Sequence, residues 1–234
     1  MDYSDDSISN LYDYIIDQYD LTQKTNVLDC GCGVGFGTIL LAKKIGANIT
    51  GISVSPSEIE SAKSNFASEK SLSNISFECK SFDDLSKEKY DVIIAIESLK
   101  HSPHLSKSLD SIVKALKPSG DLYIIEDVLV KSSNSLAERK LKRDWILSEL
   151  YLEKEYTESS KEMDWITVDM TSMMRKPSRL EVIAKIIGTE LKTSIDKLVN
   201  SSDSAASIFR GGFYQEWLYL NGALRYKLLK GKKR

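Results

Sequence analysis

Three alternating glycines behind an aspartate are the first residues of this sequence with the makings of a binding site. The stretch Val27-Leu28-Asp29-Cys30-Gly31-Cys32-Gly33-Val34-Gly35 sets them after a short apolar run and before a helical pattern. Glycine accepts the left-handed backbone that a tight turn needs, and it lets a ligand approach the main chain. The spacing is G-x-G-x-G, not the G-x-G-x-x-G of dinucleotide-binding loops. Asp29 sharpens the distinction. A carboxylate at the strand end would repel a pyrophosphate, and it suits a ligand that carries an ammonium group. A plainer reading, a tight turn with a helix-capping aspartate, uses the same residues.

A second group follows later. The only two histidines, His101 and His104, come just after the apolar run Tyr90 to Ile96, with Glu97 beside them. Glu126 and Asp127 close another apolar run. A histidine titrates near neutrality and can serve as a general base. A neighbouring carboxylate would raise its pKa and orient the ring. In a strand Glu126 and Asp127 point opposite ways, so one of them would face a shared site. His104 reads as a cap for a helix starting near Leu105. No metal site is expected, since a tetrahedral centre needs about four ligands and the cysteines lie far from the histidines in sequence. Cys30, Cys32 and Cys79 are odd in number, with two in a C-x-C, which is no disulfide framework. Small, buried, reduced cysteines are the expectation.

The elements that must position these residues can be read from periodicity. Ile8, Leu11, Tyr12, Ile15, Ile16 and Tyr19 form one apolar helical stripe. Asn26 to Asp29 reads as a buried strand, and Thr38 to Ile45 as a helix ended by Gly46. Asn48 to Ser53 is a second strand. Ser55-Pro56-Ser57-Glu58 opens a helix, with Ser55 as cap, Pro56 at the first position and Glu58 completing a capping box. Ile75 to Cys79, Tyr90 to Ile96 and Leu122 to Ile125 continue the strands, with a helix from Leu105 to Leu116. This alternation predicts a parallel sheet covered by helices on both faces. Ligands then bind beyond the carboxyl ends of the strands, at the switch point. From about residue 131 the rhythm breaks. Residues 131–162 read as helical, Trp165 to Met170 as a strand, 180–188 and 191–198 as helices, and Ala223 to Leu229 as a last strand. Ser201-Ser202-Asp203-Ser204 reads as a loop.

Val27 to Gly35 resembles the signature loop of class I S-adenosylmethionine-dependent methyltransferases. Gly51-Ile52-Ser53-Val54-Ser55-Pro56, Tyr90 to His101 and Leu116 to Leu122 are similar to the small-molecule branch of that family. That branch includes natural-product sugar O-methyltransferases, tocopherol methyltransferases and, more distantly, cyclopropane fatty acid synthases. The resemblance is strong over 24–130 and looser near Thr167 to Thr171 and Gly211 to Leu229. It implies a Rossmann-like, doubly wound, seven-stranded and mostly parallel α/β sheet in a single domain. Residues 24–130 would form the cofactor core, 131–165 a helical lid after the fifth strand, and 166–234 the part completing the sheet. It implies S-adenosyl-L-methionine as cofactor and S-adenosyl-L-homocysteine as product. Gly31, Gly33 and Gly35 would wrap the methionine part, with Asp29 near its amino group. Ser53 stands where the family usually has a ribose-binding carboxylate. Ser81 and Phe82 match the start of the adenine pocket, and Ile96 and Glu97 would touch the cofactor as well. His101, with Glu126, would serve an oxygen acceptor as base. Trp145 and Trp165, together with Tyr151, Met173 and Met174, are candidate walls of the acceptor pocket, and core packing is the competing reading for each. Arg175, Lys176 and Arg179 read as a solvated face.

Composition narrows the partners. The formal net charge of -2 gives no global basic field for nucleic acid, and no N-P-P-Y-like tetrapeptide follows the fourth apolar run. The basic end, Lys230 to Arg234, reads as a solvated tail. No segment nears the roughly 18 consecutive apolar residues of a membrane span, and the acidic start lacks the order of a signal peptide. A cytoplasmic enzyme acting on a small molecule is expected. The family often has a longer segment before the first helix, so the pocket is expected either to be open or to be covered by a second subunit in a homodimer. A nicotinamide-dependent oxidoreductase is disfavoured by the glycine spacing, Asp29 and Ser53. A non-catalytic scaffold with the same fold is the alternative that Ser53 and Ser81 leave open.

Overall fold

Short apolar runs rich in Val, Ile and Leu favour strands buried on both faces, and here they build the centre of one sheet. A computed structural model describes residues 11–16, 25–69, 72–131, 134–174, 187–188, 190 and 204–234. A helical segment at 11–16, here α1, precedes β1 (Asn26–Cys30), α2 (Phe36–Ile45), β2 (Asn48–Ser53), α3 (Pro56–Ala67), β3 (Ile75–Cys79) and β4 (Tyr90–Ile96). Then come α4 (Leu105–Ala115), β5 (Leu116–Leu129), α5 (Leu136–Asp144), α6 (Glu153–Thr157), β6 (Met163–Asp169), α7 (Thr171–Met174), α8 (Ser204–Leu220) and β7 (Leu224–Lys233). The sheet has seven strands in the order β3-β2-β1-β4-β5-β7-β6. Strands β1 to β5 pair in parallel, and β7 runs antiparallel to both β5 and β6. The chain moves outward from β1 to β3 and then returns to place β4 on the other side of β1. That reversal opens a crevice at the carboxyl ends of β1 and β4.

Alternate residues of the strands feed two apolar layers. Val27, Val92, Ile94, Tyr123 and Ile125 face one layer, with Leu11, Tyr12 and Ile15 of α1. Leu28, Ile93, Leu122 and Ile124 face the other, with Leu105, Leu109 and Ile112 of α4. The expected Rossmann-like, mostly parallel seven-stranded sheet is the observed one. Gly46 ends α2 at φ 64°, a left-handed cap that glycine takes without a Cβ clash.

The structure corrects several details. The basic end is no tail. It is the last part of β7, with Lys232 Nζ 2.9 Å from Asp121 Oδ2. Lys233 Nζ donates to the carbonyls of Val113 and Leu116 at 2.9 and 2.8 Å, placing a cation where the α4 dipole ends negative. The span 131–162, expected to be helical, is helical only in α5 and α6 among its described residues. Helix α8 was not anticipated, because its Gly211-Gly212 pair weakens the helical pattern. Cys79 is exposed and Cys32 half-buried, so only Cys30 meets the buried expectation. Ile8 and Tyr19 of the first stripe, the 191–198 helix, nearly all of the 180–188 helix, Arg175, Lys176, Arg179, most of the 201–204 loop and the Met173 side chain lie outside the described residues.

Candidate active site

The glycine loop turns as its composition demands. Gly31, Gly33 and Gly35 take φ of 82°, 52° and 85°, which L side chains rarely adopt. Their surroundings differ. A Cβ on Gly31 would lie 2.4 Å from the Cβ of Ser98, and one on Gly35 would lie 2.9 Å from both Ala62 and Phe77. A Cβ on Gly33 would meet no atom within 4 Å among the described residues. Gly31 and Gly35 are therefore required by packing as well as by backbone, and the space beside Gly33 is open among the described residues. The loop is tied to β2 by the amides of Gly31 and Cys32, which both donate to Ile52 O at 2.9 Å.

Asp29, the penultimate residue of β1, is buried. Thr38 Oγ1 of α2 donates to its Oδ2 at 2.6 Å. Burial dominates over that bond and raises its pKa to about 6. A buried carboxylate with one hydrogen bond is poorly compensated, and a cationic ligand group would relieve it.

At the end of β2, Ser53 does not stand alone. Its hydroxyl donates to Glu58 Oε2 at 2.5 Å and accepts from Ser55 N at 3.1 Å. Glu58 does receive the cap of Ser55, whose Oγ accepts from Glu58 N at 3.3 Å. Its carboxylate, however, turns to Ser53 and not back to Ser55. The carboxylate missing from the strand end is thus supplied from the first turn of α3. Sequence reading assigned Glu58 only to the helix cap; its place in the first turn of the helix that follows Ser53 was the available signal.

The β3 end is less open than expected. Ser81 Oγ accepts from Asp83 N at 3.1 Å and caps a one-turn 3₁₀ helix. Phe82 packs against the α4-side layer. Asp83 turns away to Ser108 at 2.6 Å.

Glu97 follows β4 with φ 49°, a conformation that costs a non-glycine residue on the order of 1–3 kcal/mol and clusters at functional sites. Its amide donates to Ile125 O at 2.8 Å, and its Oε1 accepts from Tyr226 OH at 3.0 Å. Ile96 packs half-buried on the α1-side layer. Next in line, Ser98 is buried against Gly31, and its hydroxyl has no hydrogen-bond partner among the described residues.

His101 lies in a 3₁₀ turn, Leu99–His101, at an exposed lip. Partial burial first, and then the Lys100 charge, hold its pKa below the ordinary histidine value, against a hydrogen bond with the backbone of Ile146 and the charges of Glu58 and Glu97. The ring is therefore neutral at pH 7.

Glu126 is not the partner expected for His101. It is fully buried, and its Oε1 accepts the backbone amides of Leu99 at 2.7 Å and Lys100 at 3.4 Å. Burial raises its pKa to about 8. It shapes the turn that carries His101 but does not charge the ring. Asp127, on the opposite face, is bound by Lys100, Gln215 and Tyr219. His104 occupies the position before α4 without a side-chain cap bond. Trp145 covers Lys100, its ring centroid 5.5 Å from Nζ, and so borders the site. Trp165 does not: it sits on β6 over Gly231, on the α4 side of the sheet. Tyr151 ties the segment between α5 and α6 to the residue after His101, donating to Ser102 O at 2.7 Å. Met174 packs at the margin of the α1-side layer. Among the described residues, no group of His, Cys, Asp and Glu is arranged to hold a metal ion, and no helix is long and apolar enough to cross a membrane.

The chain is similar to proteins of known classes. Over 134 residues it is 32% identical to the sterol 4-C-methyltransferase of Caenorhabditis elegans, covering 53% of this chain and 37% of that protein. Over 112 residues it is 38% identical to the ubiquinone biosynthesis O-methyltransferase of Coxiella burnetii, covering 47% and 46%. The match thus spans less than half the length of these curated relatives. Its fold is shared by the geranyl diphosphate C-methyltransferase of Streptomyces coelicolor A3(2), solved with Mg2+, geranyl diphosphate and S-adenosyl-L-homocysteine. That likeness has a TM-score of 0.75 at 14% identity and covers 97% of this chain and 79% of the other. The family model described as a methyltransferase domain matches residues 21–192, which include the glycine loop, Glu97 and His101, and the chain belongs to that family.

Proposed function

We propose that this protein transfers the methyl group of S-adenosyl-L-methionine to an oxygen of a small-molecule acceptor. One observation carries the reading. The left-handed glycine loop leaves open space at Gly33 and follows directly in the chain on a buried Asp29 whose burial raises its pKa. A ligand with an ammonium group answers both features. Gly31, Gly33 and Gly35 would hold the amino-acid end of the cofactor, with Asp29 facing its ammonium. The Ser53–Glu58 pair would accept hydrogen bonds from the ribose hydroxyls. Ser81 and Phe82 border the adenine end only through their backbone and packing, since their side chains are engaged elsewhere.

When bound, the cofactor supplies an activated methyl group, and the protein supplies position, field and a route for the proton. Neutral His101 can accept a proton from an acceptor hydroxyl, as a general base must. The names of the relatives, which act on a sterol and in ubiquinone biosynthesis, support a small-molecule acceptor.

The direct test is calorimetric titration with S-adenosyl-L-homocysteine, with NADH as the control. Binding of the first alone at micromolar affinity supports the reading and justifies a screen of hydroxylated metabolites. Binding of NADH alone, or of neither, refutes it.

A further inference from the structure

An α-amino acid carries an ammonium and a carboxylate on one carbon, so a site that binds it well needs a partner for each. Asp29 suits the ammonium. A partner for the carboxylate stands on the next element of the chain. Helix α2 starts directly after the glycine loop, with Gly35 in the cap position and no side-chain cap bond. No acidic residue occupies its first turn. The first amides of a helix have no acceptor within it, and the aligned peptide dipoles make this end positive. Such an end attracts an anion.

Tyr12 sets this helix end apart from an ordinary one. It comes from α1, and 5% of it is exposed. Its side chain reaches the first turn of α2: a Cβ on Gly37 would collide with the Tyr12 hydroxyl and lie 2.6 Å from Cζ. Gly37 lies outside the G-x-G-x-G spacing, and room for this hydroxyl is its reason. The hydroxyl has no hydrogen-bond partner among the described residues. Asp29, whose charge acts on Tyr12, takes its hydrogen bond from Thr38 of the same turn at 2.6 Å. A carboxylate and a donor hydroxyl thus meet the first turn of α2 without bonding each other. Burial first, and then the charges of Asp29 and Cys32, hold the Tyr12 pKa well above the ordinary tyrosine value, so the hydroxyl keeps its proton and donates. A buried hydroxyl without a partner is unfavourable, and a ligand oxygen would relieve it.

We propose that the Tyr12 hydroxyl and the first turn of α2 form a subsite for the carboxylate of the cofactor's amino-acid end, beside the Asp29 that faces its ammonium. This rests on the reading that the crevice at β1 and β4 binds S-adenosyl-L-methionine. An amine alone satisfies Asp29 and leaves Tyr12 without a partner; the carboxylate completes both. Tyr12 is therefore a cofactor-selecting residue, and the site discriminates against adenosine thioethers that lack the carboxylate. In sequence it is one more member of an apolar helical stripe, and only its meeting with Gly37 separates it from core packing.

The experiment is calorimetric titration of S-adenosyl-L-homocysteine and of its decarboxylated counterpart, S-adenosyl-3-thiopropylamine, into the wild-type chain and into Tyr12→Phe. A hydrogen bond to a charged group corresponds to about tenfold in affinity or more. The wild-type chain should prefer S-adenosyl-L-homocysteine by about that factor. Tyr12→Phe keeps the ring and removes the hydroxyl. It should bind S-adenosyl-L-homocysteine about tenfold more weakly and the decarboxylated compound within about twofold of wild type. Its unfolding temperature should match that of the wild type, since no bond within the fold is lost. Equal affinity of the wild-type chain for the two compounds would overturn the proposal, because nothing would then be reading the carboxylate. An unchanged affinity of Tyr12→Phe for S-adenosyl-L-homocysteine would overturn it too, and equal losses for both compounds would make Tyr12 merely structural. Failure of the wild-type chain to bind S-adenosyl-L-homocysteine would sink the reading of the crevice itself, a separate outcome.

Discussion

Asp29 and His101 hold their protons differently from free side chains, and each difference has a visible cause. Asp29 is buried with one hydrogen bond, so its carboxylate is ionised only above about pH 6. If it faces the cofactor ammonium, affinity for S-adenosyl-L-homocysteine should be flat above pH 7 and fall by up to about tenfold per unit below pH 6. Asp29→Asn should bind weakly at every pH and lose that slope; a wild-type affinity that stays constant down to pH 5 would remove Asp29 from the ligand. His101 is kept neutral by partial burial and Lys100. Replacing it with Ala should slow turnover about 10²- to 10⁴-fold and leave cofactor affinity within about twofold. Turnover close to wild type in steady-state assays would end its assignment as base.

At the scale of elements, α5 is fastened to α8 by close packing and not by length. Helix α8 crosses α5 at Gly211, where a Cβ would come 2.1 Å from the Trp145 ring. Arg210 adds a bond from Nε to Asp144 Oδ2 at 2.5 Å. The neighbouring Gly212 would place a Cβ at an ordinary 3.7 Å from the same ring. Gly211→Ala should therefore destabilise the protein by about 1–3 kcal/mol through overpacking. Gly212→Ala should be neutral or stabilising by up to about 1 kcal/mol, since alanine is the better helix former. Thermal unfolding of the two variants checks the pair, and equal shifts would mean that α8 does not seat on Trp145. The same contact explains why α8 was illegible. A glycine pair reads as a helix breaker until the partner that requires it is known.

The molecule as a whole carries two buried carboxyl groups whose pKa values rise on folding, Asp29 to about 6 and Glu126 to about 8. Each contributes stability that is complete below its unfolded pKa, near 4. The contribution of Asp29 is lost as pH rises through about 6, and that of Glu126 as pH rises through about 8. The fold should therefore lose stability between about pH 4 and 8. Glu126→Gln, which mimics the protonated group, should flatten the upper part of that slope and raise Tm at pH 9 by about 5 °C. A Tm for Glu126→Gln that follows the wild-type slope from pH 6 to 8 would place the titration on another group.

What the sequence determined by itself was whatever depends on local chemistry. Alternating apolar runs and helical stripes set β1 to β5 and their helices, because burial on two faces demands a continuous apolar strand. The glycine spacing and Asp29 were legible because only a left-handed turn needs those residues at those places. The tertiary structure decided the rest, where contacts join residues distant in the chain. It turned Glu58 toward Ser53, gave Glu126 to the amides of Leu99 and Lys100 in place of His101, and put Trp165 under the sheet edge. It also buried Lys100 between Glu97 and Asp127. A lysine in a polar stretch reads as solvated; only the packing of β5, β7, α5 and α8 around it buries it.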